Sequence, residues 1–202
     1  MKNKIIRVCF EGCASVGKTT LAKALSKKLN IRYIKEFCEH TTKNSFRKIG
    51  DTRRFKKIPF NESLIIDRSR LSRTVHNFRG LEVGQITFGR NRKKELEKIN
   101  NDLKNYTHLI YIPVIKEIAL REKDLIRVGN EKRESMNYNY RVMLKTLKIK
   151  YYSLKTISNK DRLNEVLNII NNENIKTSRR LCVGDSFRFK DRKANTRHDW
   201  SK

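Results

Sequence analysis

Gly12-Cys13-Ala14-Ser15-Val16-Gly17-Lys18-Thr19, followed by Thr20, stands between an apolar run at residues 5–10 and a stretch in which Leu21, Leu25 and Leu29 recur at every fourth position. The short apolar run reads as a buried strand, and the four-residue repeat places the leucines on one face of a helix. Between them lies a strand-to-helix turn with glycine near each end. Such a turn lets successive backbone N–H groups face one anion, and the helix behind it adds the positive end of its dipole. This spacing is that of a phosphate-binding loop. Lys18 would reach the β- and γ-phosphates of a nucleotide, Thr19 would set its hydroxyl on Mg²⁺, and Thr20 would help start the helix.

Outward from the loop the pattern alternates. Residues 31–34 read as a short second strand, Ser63-Leu64-Ile65-Ile66 runs into Asp67, and His108-Leu109-Ile110-Tyr111-Ile112 runs into Pro113. The last two are apolar throughout, as strands buried on both faces are. Leu96, Ile99 and Leu103 mark a helix between them. Val142, Met143 and Leu147 mark another, residues 151–157 a last strand, and Leu163, Val166, Leu167 and Ile170 a closing helix. Alternation of this kind predicts an α/β fold: a single P-loop NTPase domain over residues 1–176, its five-stranded, mostly parallel sheet covered by helices on both faces. Residues 177–202 lack periodicity and read as a basic tail, extended or disordered.

Ligands of such sheets bind beyond the carboxyl ends of the strands. The loop, Glu36, Asp67 and the segment after Pro113 each follow a strand end. Asp67 would orient Mg²⁺ or its water, or touch an acceptor; the competing role is a helix N-cap. Glu36 would take the proton of an attacking hydroxyl, or is a surface acid with Glu39 as its neighbour. Arg121, Arg127 and Arg133 lie in a polar stretch with Gly129, suited to a mobile flap that brings guanidinium groups over phosphate oxygens, Arg127 first and Arg133 second.

A length of 202 residues suffices for one domain with a core. No run approaches the ~20 apolar residues of a membrane span, and a strand follows the N-terminus directly, so the expectation is a soluble, cytoplasmic protein. Cys9, Cys13, Cys38 and Cys182 form no C-x-x-C pair and read as free thiols in a reducing compartment, while His40, His76, His108 and His198 are scattered, so no structural zinc is expected.

The net charge of +27, from 48 Lys and Arg against 21 Asp and Glu, exceeds what one triphosphate needs. A lysine-rich, A/T-biased genome would account for part of it, but 21 of the 48 are arginine. An anionic partner, nucleic acid or an acidic lipid surface, is one reading; a solvated basic surface is the other. Residues 43–57 interleave Phe46 and Phe55 with seven basic residues, a composition that fits single-stranded nucleic acid or a loop over the acceptor site. The tail carries a net +5 with Phe187, Phe189 and Trp200, and would meet nucleic acid or acidic lipid.

Several elements together carry a family resemblance: Glu11 to Thr20; Glu36 after the second strand; Ile66-Asp67 with Phe78 and Gly80 downstream; Asp124-Leu125-Ile126-Arg127 as a D-x-x-R segment; Arg133; Leu144, Leu147, Ile149 and Tyr151; and Arg162 before the last helix. Over residues 5–171 the chain resembles the P-loop kinases and NTPases grouped around the ribosylnicotinamide kinase domain of the bacterial NAD regulator NadR, within the nucleoside and nucleotide kinase superfamily. The resemblance implies ATP and Mg²⁺ at the loop, and phosphorylation of a small nucleoside-like alcohol such as ribosylnicotinamide or a deoxynucleoside or nucleotide. It also implies an arginine lid, with Asp67 and Glu36 at the acceptor, Arg127 and Arg133 on phosphate, and Arg162 near the adenine. Asp67-Arg68-Ser69, with Ser72 and Phe78, is similar to the acid-Arg-Ser element of deoxynucleoside kinases, which adds Arg68 as a phosphate contact. The alternative is a nucleic-acid-associated P-loop protein, either a polynucleotide 5′-hydroxyl kinase or a non-catalytic NTP-binding module; NTP hydrolysis is also open.

Overall fold

In the computed structural model, which describes residues 5–35, 58–77, 92–115 and 130–172, the loop-bearing strand β1 (Arg7–Gly12) takes the centre of the sheet. It is flanked by β3 (Leu64–Asp67) and β4 (His108–Ile112), both buried along their whole length. The edge positions go to β2 (Arg32–Ile34) and β5 (Tyr152–Ser153), giving the order β2-β3-β1-β4-β5 with every pairing parallel. The register sets Phe10 opposite Asp67 and Gly12 opposite Ile112. The loop and the acid thus leave the sheet at the same end.

Handedness distributes the helices. The connection through α1 (Lys18–Leu29) moves from β1 out to β2, whereas α2 (Arg70–Asn77) and α3 (Arg92–Leu103) lie between β3 and β4, which is a step in the opposite direction. Right-handed crossovers running in opposite directions fall on opposite faces. Helix α4 (Asn130–Leu147) packs on α2, and α5 (Asn159–Asn172) packs on α1, so each face is covered as the alternation predicts. The core runs through both layers, with Phe10, Leu21, Leu25, Leu64, Ile65, Ile110, Ile112 and Tyr140 fully buried. None of the described helices is long and apolar enough to cross a membrane.

The strand expected over residues 151–157 is cut to two residues, and the cause is local. The Leu154 N–H still donates to the Tyr111 carbonyl at 3.0 Å. The next two N–H groups, of Lys155 and Thr156, turn instead to the Glu165 carboxylate of α5, each at 3.2 Å. Beyond Ile112 the partner strand has ended at Pro113. Arg162, expected before the last helix, lies inside α5, which starts earlier because Ser158 caps it: its hydroxyl accepts the Asp161 N–H and donates to the Asp161 carboxylate at 2.6 Å.

Helix α2 is capped from two sides. Ser69 Oγ accepts the Leu71 N–H at 3.1 Å, so the capping role considered for Asp67 belongs to Ser69, and Asp102 of α3 accepts the Arg70 N–H at 2.9 Å. Burial pushes the Asp102 carboxyl from 3.8 up to about 6, against the opposing pull of that N–H. Between these values the folded chain holds a proton that the unfolded chain has lost, so this group makes stability fall as pH rises from about 4 to about 6. Asp102→Asn removes that contribution. Urea midpoints of the variant should therefore gain on those of the native chain between pH 4 and pH 7, and a constant difference would contradict the assignment.

Candidate active site at the carboxyl ends of β1 and β3

Two glycines shape the loop, for different reasons. Gly12 has φ +141°, and a Cβ there would stand 2.4 Å from the Ile112 carbonyl oxygen, so no side chain fits. Gly17, at φ +92°, is the left-handed N-cap of α1, and a Cβ would meet Arg162 Nη1 at 3.2 Å. No side chain caps α1, its first turn holds no acid, and Lys27 and Lys28 occupy its last turn. Its leading N–H groups therefore present unopposed positive dipole at the loop.

Three buried contacts hold the loop in shape. Lys18, 4% exposed, donates from Nζ to the Cys13 carbonyl. Arg162, 3% exposed, reaches from α5 with Nη1 to the Val16 carbonyl at 2.8 Å and with Nε to the Thr156 carbonyl at 3.0 Å. Cys13 Sγ donates at 3.4 Å to the carbonyl of Arg133, itself buried in α4. Burial pushes the Cys13 thiol up to about 11. It stays protonated near neutral pH and serves as a donor, in keeping with a free thiol.

Facing the loop, the Asp67 carboxylate is 1% exposed. Its Oδ2 accepts the Thr19 hydroxyl and, at 3.4 Å, that of Tyr33 from β2. Its Oδ1 is buried with no hydrogen-bond partner. An orphaned carboxylate oxygen beside a threonine hydroxyl is a hard-oxygen donor pair of the kind Mg²⁺ takes, so these residues fit that ion.

Directly before the loop, Glu11 is wholly buried. Its carboxylate accepts the Ser69 N–H at 2.7 Å and the hydroxyls of Ser69 and Ser72, and Ser72 Oγ lies 2.8 Å from the Tyr140 hydroxyl of α4. Burial raises the Glu11 pKa, while the serine donors and the Arg68 charge pull it back. Arg68 stands between the acid and the cap at φ +74°, its N–H on the Phe10 carbonyl at 3.0 Å.

Of the residues singled out in the sequence, the fold brings together Gly12, Cys13, Ala14, Ser15, Val16, Gly17, Lys18, Thr19, Asp67, Arg133 and Arg162. Thr20 lies exposed in the first turn of α1. Arg133 belongs to the helix rather than to a flap, and its Nε is buried with no hydrogen-bond partner. Glu36, Glu39, Arg121, Arg127, Phe78, Gly80, the segment 43–57 and the tail 177–202 lie outside the described residues. Sequence reasoning gave Glu11 no role, although one acid at the end of an apolar strand was the available signal; Tyr33 carried none. A cavity of about 390 Å³ lined by Leu103, Tyr106, Ile149 and Tyr152 lies at the amino end of β4, away from this site.

Comparison with known proteins agrees with this geometry. A family described as an AAA domain matches residues 7–78, a span that begins with β1 and takes in Asp67 and α2. No curated protein matches significantly. Among solved structures, deoxyadenosine kinase from M. mycoides with bound dATP is similar at 19% identity and a TM-score of 0.62, over 82% of this chain and 100% of that one. The YorR protein from Bacillus subtilis, in complex with phosphorylated GDP, is similar at 20% identity and a TM-score of 0.54, over 85% and 99%. The NadR protein in complex with NR is similar at 16% identity and a TM-score of 0.56, over 88% of this chain but 53% of that one. At these identities the likeness is one of fold: a single α/β domain of the P-loop kinase type.

Arg162 spans α5 and the loop, so its truncation leaves the Val16 and Thr156 carbonyls without their donor. A charge-assisted hydrogen bond of this kind is worth roughly 1.5–3 kcal/mol. Arg162→Ala should raise the dissociation constant of a fluorescent ATP analogue at least about tenfold, measured by titration at fixed Mg²⁺.

Proposed function

We propose that this chain is an ATP-dependent kinase that transfers the γ-phosphoryl group to a hydroxyl of a nucleoside-like substrate. The observation that carries the reading is the pairing of Thr19 with Asp67 at the head of the loop, with the second Asp67 oxygen buried and uncommitted. The full-length likeness in fold to a deoxyadenosine kinase supports it. So does the order of Asp67, Arg68 and Ser69 behind β3, which is the order of the deoxynucleoside kinase element.

The loop backbone and the N-terminus of α1 would bind the triphosphate, and Lys18 would exchange the Cys13 carbonyl for phosphate oxygens. Mg²⁺, held by Thr19 and Asp67, would supply charge neutralisation on those oxygens. Glu36, by its place two residues beyond β2, would accept the proton as the substrate oxygen bonds to the γ-phosphorus and ADP departs. Arg127 and Arg133 would hold the equatorial oxygens as charge spreads over them. Positioning and electrostatics carry most of such a reaction.

Labelled ATP offered with ribosylnicotinamide, deoxynucleosides, nucleoside monophosphates and a 5′-hydroxyl oligonucleotide tests the reading and separates its branches. Transfer to a nucleoside-like acceptor is expected; label on the oligonucleotide alone would favour the nucleic-acid alternative, and hydrolysis without transfer would refute the kinase. Lys18→Ala should abolish transfer in folded protein. Asp67→Asn should lower kcat by two orders of magnitude or more, on the order of what removing one preorganised electrostatic group costs.

A further inference from the structure

A strand that is otherwise apolar carries one carboxylate into the core, and its neighbours explain what it holds. Glu11 lies immediately before Gly12, where the loop begins. Its carboxylate accepts the Ser72 hydroxyl from the first turn of α2, and the Ser69 N–H and the Ser69 hydroxyl from the turn after β3. That turn also contains Asp67, which meets Thr19, and Arg68, which is held at a left-handed φ of +74°. A non-glycine residue keeps such a conformation only where its surroundings over-determine it, and here both sides are tied: Arg68 N–H to Phe10, Ser69 N–H to Glu11. The network continues through Ser72 to Tyr140 of α4, the helix whose Arg133 carbonyl takes the Cys13 thiol.

We infer that Glu11 is a positioning residue for the phosphotransfer site, clamping the Asp67-Arg68-Ser69 turn to the first residue of the phosphate loop and so setting the Asp67 carboxylate against Thr19. Both ends of the Asp67 to Thr19 contact are then referred to one carboxylate. A carboxyl group suits the task because its two oxygens take different elements: Oε1 faces both Ser69 donors of the turn and Oε2 the Ser72 hydroxyl of α2. The inference rests on the kinase reading only for its catalytic consequence. Its geometric consequence concerns the metal-dependent part of nucleotide binding.

The test uses the full chain with Glu11→Ala and Glu11→Gln, checked for folding by circular dichroism. A fluorescent ATP analogue is titrated in EDTA and in Mg²⁺. Loss of a group that orients a metal-binding carboxylate typically costs 10–100-fold in metal affinity. Glu11→Ala should bind the analogue in EDTA within about threefold of the native chain and lose at least about tenfold of the Mg²⁺ enhancement. Glu11→Gln, which keeps one acceptor for the Ser69 groups, should fall between. Where an acceptor is phosphorylated, kcat should fall more than the KM for ATP rises.

An intact Mg²⁺ enhancement in Glu11→Ala would overturn the inference, as would equal loss of binding with and without the metal, since a merely structural acid predicts the latter. A native chain whose binding ignores Mg²⁺ would overturn it as well. If Glu11→Ala does not fold, Glu11→Gln and Ser72→Ala decide: a partial loss of the enhancement supports the clamp, and none overturns it. A native chain that phosphorylates no acceptor sinks the kinase reading, while the metal-dependent binding still decides the role of Glu11.

Discussion

The contact on which the site depends is the one between Gly12 and the Ile112 carbonyl, where the space of a single methyl group is already taken. It lets the end of β1 press against β4 while the chain turns into the loop. Because the strands are parallel and in register, the same approach levels the carboxyl ends of β1 and β4. Asp67 pairs with Phe10 and not with Gly12, so the acid leaves β3 opposite the point where β1 has two residues still to run. That stagger lets the Asp67 carboxylate meet a side chain in the first turn of α1 and leaves Ser69 level with Glu11.

Burying this much polar chemistry in one place would be costly without donors and acceptors to match it, because an unpaired buried charge is among the most destabilising features a core can hold. Glu11, Lys18, Asp67, Arg133 and Arg162 are each 4% exposed or less. Lys18 and Arg162 point at backbone carbonyls of the loop, and Glu11 takes a backbone N–H and two hydroxyls. The exceptions in this set are the second oxygen of Asp67 and the Nε of Arg133, neither of which has a hydrogen-bond partner. A largely compensated network that leaves one acid oxygen and one guanidinium N–H open is the pattern expected where the remaining partners belong to a ligand.

The amount legible in the sequence follows from which interactions are local. Strand cores such as Leu64-Ile65-Ile66 and His108 to Ile112 are short apolar runs, and the loop is a fixed spacing, so these were readable. The limit set by a more distant partner was not: β5 stops because Glu165 of α5 captures the next N–H groups, whereas the start of α5 is set locally, by Ser158 and Asp161 three residues apart. Arg162 is the instructive case. The family resemblance set it near the adenine of a bound nucleotide; its observed bonds to the Val16 and Thr156 carbonyls depend on how α5 packs on α1. For Glu11 the sequence offered its place at the end of an apolar strand but not its partners, which lie 58 and 61 residues away. Glu36 and Arg127 lie outside the described residues, so their roles rest on the sequence alone.

The scarcity of acids gives the charge excess a structural meaning. Glu11, Asp67, Asp102 and Glu165 accept hydrogen bonds from backbone N–H and hydroxyl groups of turns and helix ends. With 48 basic residues against 21 acids, the net +27 sets up a field that draws anions toward the molecule and is screened by salt. A nucleotide carrying a triphosphate is one such anion, and the dipole of α1 continues the attraction into the loop itself. A field of this sign speeds the approach of any anion to the loop, while the buried acids beneath it hold the turns that shape the loop's surroundings.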